Sequence, residues 1–247
     1  MAQPLAGKSA LVTGGSRGIG AAIARRLAED GAAVVITHSN SAEAARRVAA
    51  GISAAGGRAL AVRADAGAPD QVRAAVTRTV EAFGGLDVLV NNAATVATGL
   101  LDELSLEEFD RALSINVRGP FVAIQEASKH LPAGGRIINI GTSMVEHNPF
   151  TGKLAYVTGK SALAGLTRSA ARDLASRRIT VNNVQPGAID TALNPADGPR
   201  SHVLRAMIPL GRFGTGEQIA SLVAHLASPD ADYITGATIN ADGGYAT

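Results

Sequence analysis

Thr13-Gly14-Gly15-Ser16-Arg17-Gly18-Ile19-Gly20 is the stretch on which the reading of this chain turns. It ends a short run, Ser9 to Thr13, that reads as a strand. It opens an alanine-rich run of helical period, Ile19 to Asp30. Glycine at such a junction lets the backbone turn sharply and approach a ligand closely. The free N–H groups and positive dipole end of the helix then face an anion such as a pyrophosphate. The glycines stand at 14, 18 and 20, so the spacing is not the ordinary G-x-G-x-x-G, and no Lys-Ser/Thr pair follows to make a P-loop. A glycine-rich structural turn is the plain alternative. The strand-to-helix setting favours dinucleotide binding, with Gly14, Ser16, Arg17, Gly18, Ile19 and Gly20 as the contacts.

Outward from this junction, short β-branched runs alternate with helical ones. Strands are predicted at Ala33–Thr37, Ala59–Ala64, Leu86–Asn91, Arg136–Gly141, Ile179–Val184 and Ala237–Asn240. Helices are predicted from an N-cap at Ser41 to Gly56, and over Ala68–Phe83, Ser105–His130, Tyr156–Ser176 and Thr215–Ala227. This alternation implies an α/β fold with a doubly wound parallel sheet of about seven strands and helices on both faces. No repeat or second-domain boundary is visible, so the chain reads as a single domain. Pro186 to Gly214 is rich in proline and glycine. It reads as a substrate lid at about 188–214, with a short helix near His202–Met207 and with Arg200 and Arg205 on it.

Composition narrows the chemistry. The 247 residues suffice for one sizeable core, and 46% hydrophobic against 18% charged residues argues against disorder. There is no cysteine, which removes disulfides, thiolate catalysis and cysteine-bound zinc. The five histidines lack metal-ligand spacing, so no metal is expected. Net charge is +2 and the basic pairs are scattered, so no nucleic-acid face is expected. No apolar run spans a membrane and no leader pattern opens the sequence, which reads as cytoplasmic.

The end of the second strand reads Thr37-His38-Ser39-Asn40, with no carboxylate to repel a ribose 2′-phosphate. Arg17 is placed to pair with such a phosphate, so NADP(H) is favoured over NAD(H). Tyr156 and Lys160 stand at i and i+4 on one face of a helix. An adjacent ammonium favours phenolate and lowers a tyrosine pKa, which suits a general acid or base. A lone YxxxK pair is weak. Ser143 lies thirteen residues upstream, just past the fifth strand. Asn116 is a polar residue within a long amphipathic helix. Asn91-Asn92-Ala93-Ala94 and Pro186-Gly187 end two further strands. All of these fall on the ligand-binding side of such a sheet.

The whole chain resembles the short-chain dehydrogenase/reductase family, whose fold is Rossmann-like. TGGSRGIG at 13–20, NNAA at 91–94, Asn116, Ser143, Tyr156-xxx-Lys160 and PG-x-I-x-T at 186–191 carry the resemblance in order. It implies that Tyr156 exchanges a proton with the substrate oxygen, and that Lys160 holds the nicotinamide ribose. Ser143 would polarise the substrate oxygen, and Asn116 would hold a water that links Lys160 to solvent. Asp65 would bond the adenine amino group, and Asn92, Ala93 and Ala94 would line the cofactor path. Ile189 and Thr191 would contact the carboxamide, and Pro186 and Gly187 would pack beside the ring. Three departures stand out. Ala94 replaces a glycine, Gly-Thr-Ser replaces a Ser-Ser ending at Ser143, and Gly159 stands where serine often precedes the lysine.

The substrate loops are expected at Thr95–Leu101, Met144–Lys153 and Asp190–Phe213. Their side chains are mostly small or apolar, and polar Glu146 and His147 read as loop polarity. The resemblance is nearest to 3-oxoacyl-carrier-protein reductases and small ketone reductases. It implies a small-molecule carbonyl or alcohol substrate and a homotetramer or homodimer. The competing reading is a non-catalytic nucleotide-binding or cyclic di-GMP-like signalling-ligand protein, because Gln185–Gly214 also resembles a biofilm-dispersal member of the family. The intact Asn116, Ser143, Tyr156 and Lys160 set favours the enzyme.

Overall fold

Alternate strand residues face opposite helical layers, which is what builds the architecture. The computed structural model describes residues 3–199 and 201–247, so Arg200 lies outside the described residues. The strands are β1 (Ser9–Val12), β2 (Ala33–His38), β3 (Arg58–Arg63), β4 (Val88–Asn91), β5 (Arg136–Ile140), β6 (Thr180–Pro186) and β7 (Thr238–Ala241). The helices are α1 (Gly18–Glu29), α2 (Ala42–Ala54), α3 (Pro69–Phe83), α4 (Leu106–Leu113), α5 (Gly119–Ala127), α6 (Leu154–Leu174), α7 (Ser201–Met207) and α8 (Gly216–Ala227). Val34, Ile36, Val90 and Ile138 pack with Ile23 and Leu27 of α1 and Val223 of α8. Leu11, Val35, Leu89 and Ile137 pack with Val76 of α3, Val122 of α5 and Leu174 of α6. Strands buried on both faces are continuously apolar, and each side chain alternates between the two cores.

The sheet is parallel with order β3-β2-β1-β4-β5-β6-β7. Strand order reverses at β1, where Val12 pairs with both Ile36 and Val90. Crossovers leave to opposite faces there and open a crevice at the carboxyl ends. The edge strand β3 carries exposed arginines at both ends, which discourages further pairing.

The predicted helix starts at Ser105 and Thr215 are capping boxes, with Glu108 and Gln218 reaching back to their N-cap backbones. Ser41, by contrast, makes no side-chain capping bond. The expected single helix over Ser105–His130 is interrupted. A π turn at Ser114–Arg118 joins α4 to α5 and carries Asn116. Such a turn inserts one residue into the helical ladder and is frequent at functional sites. β6 runs two residues beyond the predicted Val184, so that Pro186 closes it. The short helix expected in the Pro186–Gly214 connection forms as α7.

Candidate active site

The glycine cradle is built by exclusion of side chains. Gly14 has φ +66°, and a Cβ there would lie 2.9 Å from the Ala93 Cα. A Cβ on Gly20 would lie 2.5 Å from the Gly14 carbonyl oxygen. Only hydrogen fits between these backbones. Thr37 Oγ1 accepts from the Gly14 N–H at 3.1 Å and fixes the turn to β2. Thr13 Oγ1 accepts from the Asn92 and Ala93 N–H groups, each at 3.0 Å, and fixes it to β4. Asn92 Nδ2 donates to the Thr13 and Gly14 carbonyls, so its amide braces the turn.

This leaves the start of α1 open. Its N-cap, Arg17, makes no side-chain capping bond, and no acidic residue stands in the first turn. Free N–H groups at a positive dipole end suit a phosphate. The cleft above is lined by Gly14, Ser16, Arg17, Gly18, Ile19 and Gly20, and by Thr37, His38 and Ser39 at the end of β2. Arg17 is exposed there, and His38 is buried with Nδ1 lacking a partner. No carboxylate lines that end of β2, so the residues present fit a 2′-phosphorylated dinucleotide. Asn40 is not on the cleft wall.

Asp65 lines the cleft after β3. Burial would raise its pKa, but bonds from Arg111 and the Gly67 N–H, with the Arg111 charge, hold it below the usual value. Its oxygens accept from Arg111 Nη2 and the Gly67 N–H, both at 2.8 Å. Sequence reasoning did not single out Arg111, which also lines the cleft from α4.

The same cleft continues past Ala93, Ala94, Pro186, Gly187 and Thr191 to Tyr156 and Lys160. Ile189 is not on the wall; its side chain is 4% exposed and sits in the core, beside Gly214. Tyr156 and Lys160 stand one turn apart on α6. Lys160 Nζ donates to the Ile140 carbonyl at 2.5 Å, and burial lowers its pKa to about 8. Burial raises the Tyr156 pKa, opposed by a hydrogen bond with the Thr142 side chain. The expectation of a phenol lowered by its neighbouring ammonium is therefore reversed. Desolvation by burial is the larger effect on this phenol.

Two predicted residues stand behind the wall. Asn116 is 1% exposed, and its amide exchanges two bonds with the Thr95 backbone, at 3.0 and 2.9 Å. Ser143 is 0% exposed, lies off the cleft wall, and its Oγ has no partner. Thr142, one residue earlier, does line the cleft. Glu146 accepts from Gln185 and Asn240 at 2.9 and 3.1 Å, and His147 meets the Tyr245 ring edge-on at 5.4 Å. Both therefore serve the loop structure. Among the described residues no His, Asp or Glu cluster could hold a metal ion, and no helix is long and apolar enough to cross a membrane.

A glycine cradle that opens into a tyrosine–lysine pair, at the switch point of a parallel sheet, places the chain among Rossmann-type oxidoreductases. A family profile described as enoyl-(acyl carrier protein) reductase matches residues 14–246. The chain belongs to the short-chain dehydrogenase/reductase family. It is 43% identical over 239 residues to a cyclic-di-GMP-binding biofilm dispersal mediator protein of Escherichia coli K12, covering 97% of each chain. It is 44% identical over 241 residues to a 3-oxoacyl-[acyl-carrier-protein] reductase of Staphylococcus aureus, covering 96% of this chain and 97% of that one. A short-chain dehydrogenase of Burkholderia cenocepacia, solved in complex with NADP, superposes with TM-score 0.97 at 49% identity, covering 99% of this chain and 100% of that one.

Proposed function

We propose that this chain is an NADP(H)-dependent reductase that moves a hydride between the nicotinamide and a carbonyl or secondary alcohol carbon. One observation carries the reading: the cleft that starts at the glycine cradle ends on Tyr156 and Lys160. Bound NADPH supplies the hydride. Tyr156 donates its phenolic proton to the carbonyl oxygen as that oxygen gains charge. Its raised pKa keeps the phenol protonated at neutral pH, which suits an acid in the reductive direction. Lys160 would bind the ribose hydroxyls from the floor of the cleft. Arg17, with His38 and Ser39 nearby, would take the 2′-phosphate. The relative solved with NADP supports that choice.

Val96 and Leu193 line the mouth, 52% and 78% exposed, which favours an apolar carbonyl compound. A 3-oxoacyl thioester fits the likeness to the Staphylococcus reductase. A homotetramer or homodimer would use the α4–α6 face, where Phe121 is 48% exposed beside a groove reaching Leu166. The likeness to the Escherichia coli mediator protein supports a second reading, a binder of a signalling dinucleotide. A binder has no use for a buried lysine beside a tyrosine at the end of the cleft, so the enzyme reading is preferred. A panel of ketones and aldehydes followed by NADPH absorbance tests it. Oxidation of NADPH dependent on one of them supports the reading, and tight cyclic di-GMP binding with no turnover on any overturns it.

A further inference from the structure

On the reductase reading above, Ser143 would serve the substrate oxygen beside Tyr156. Its Oγ has no hydrogen-bond partner, so the backbone of its segment, not a side-chain bond, places it. That segment is fixed at both ends on β6. At its start the Gly141 N–H donates to the Val184 carbonyl at 2.7 Å. A Cβ on Gly141 would lie 3.1 Å from Gln185 Cγ, so the backbone there rests against that side chain. At its end the Glu146 N–H donates to the Ser143 carbonyl at 3.0 Å and closes the turn. The Glu146 carboxylate then reaches back to Gln185. Gln185 Nε2 donates to Glu146 Oε1 at 2.9 Å and to Asn240 Oδ1 at 2.7 Å. Asn240 Nδ2 donates to Glu146 Oε2 at 3.1 Å. Gln185 and Asn240 face each other across β6 and β7. The three side chains thus form a closed ring, each bonded to the other two. Gln185 is 1% exposed, and its Oε1 accepts from Asn183 at 3.3 Å, so the ring is seated on a buried amide whose groups are all in use.

We infer that Glu146 is a positioning residue for the reaction, an inference that rests on the reductase reading. Through the ring it holds the segment from Gly141 to Glu146, with Ser143 inside it, against the end of β6. The next residues, Pro186 and Gly187, are on the cleft wall, as is Gly141. Neither Glu146 nor Asn240 is on that wall, so the ring acts on the site through the backbone. A carboxylate is the group that fits at 146, because it meets two N–H donors with two acceptors. Glutamine there would turn an NH2 group onto one of those donors. Aspartate at 240, with Glu146 in place, would set two carboxylates against each other. With both changes the ring closes again. The amide at 146 then accepts from Gln185 and donates to the carboxylate at 240, which also accepts from Gln185.

Five proteins decide the matter: the parent chain, Glu146→Gln, Asn240→Asp, the double variant and Tyr156→Phe. Each is assayed with NADPH on the most active ketone of the panel above. NADPH affinity is read by fluorescence and stability by the urea midpoint. Glu146→Gln and Asn240→Asp should each lose at least about tenfold in kcat, since misplacing reacting groups by about an ångström costs up to about a hundredfold. NADPH affinity should stay within about threefold, because the phosphate cradle at the start of α1 is untouched. The double variant should return to within about threefold of the parent kcat, a coupling that independent sites do not show. Single variants with a lowered urea midpoint but the parent kcat would make Glu146 a stabilising contact only and overturn the inference. A double variant in which the two losses add would overturn it as well. If Tyr156→Phe keeps full turnover, the reductase reading itself fails; if Tyr156→Phe is inactive and Glu146→Gln is fully active, only this inference does. Should Asn240→Asp not fold, Glu146→Ala takes its place. It leaves both donors unpaired, so its kcat should fall at least as far as that of Glu146→Gln, and full turnover would contradict the role.

Discussion

The Lys160 ammonium donates a hydrogen bond to the Ile140 carbonyl at the end of β5, at 2.5 Å, and the side chain is buried. An ion held that way is costly. Its ordinary pKa of 10.5 falls to about 8 because burial disfavours the charge. The folded protein therefore binds this proton less tightly than the unfolded chain does. At neutral pH both states keep the proton, and the native state bears the full penalty. Above about 8 the native state sheds the proton first, and the penalty fades until pH 10.5.

Lys160→Met should expose that penalty. Relative to this variant, the parent chain should be less stable below pH 8, with the deficit shrinking as pH rises to 10.5. The shift corresponds to about 3 kcal/mol. Loss of the bond to Ile140 offsets about 1 kcal/mol or more at every pH. Urea midpoints of both proteins, measured across that range without nucleotide, check this. A difference that does not change with pH contradicts it.

Arg17→Ala should weaken NADPH about tenfold or more, the scale of a charge-assisted bond to phosphate, and NADH by less than about twofold. Titration of each nucleotide by intrinsic fluorescence quenching or calorimetry reads the difference. Equal losses would remove Arg17 from the 2′-phosphate.

Gly159→Ser should be destabilising, although serine is the residue expected at this place from the resemblance. A Cβ on Gly159 would lie 2.9 Å from the Asn116 Cβ. Asn116 cannot retreat freely, since its amide is tied to the Thr95 backbone. Overpacking of this kind costs about 1–3 kcal/mol. A lowered urea midpoint, with loss of activity as the Thr95 loop shifts, is the expected outcome. An unchanged midpoint would show that the π turn yields.

The sheet was legible in the sequence because buried parallel strands are runs such as Ala33–Thr37, punctuated by glycine at each turn. The cradle was legible for the same reason, since glycine marks close backbone approach. The π turn at Ser114–Arg118 was not, because a single inserted residue has no residue-type signature and falls within an otherwise continuous helical stretch. The Asp65–Arg111 bond joins residues 46 apart on different elements, and no local pattern records it. The direction of the Tyr156 shift was missed because a sequence shows the neighbouring charge but not the burial.

The account stands on Tyr156 as the proton donor, and Tyr156→Phe tests this most directly. Turnover of NADPH on a reactive ketone should fall by at least about a hundredfold, the share of a general acid, while NADPH affinity stays within about twofold. A phenylalanine variant that turns over as fast as the parent chain would contradict it.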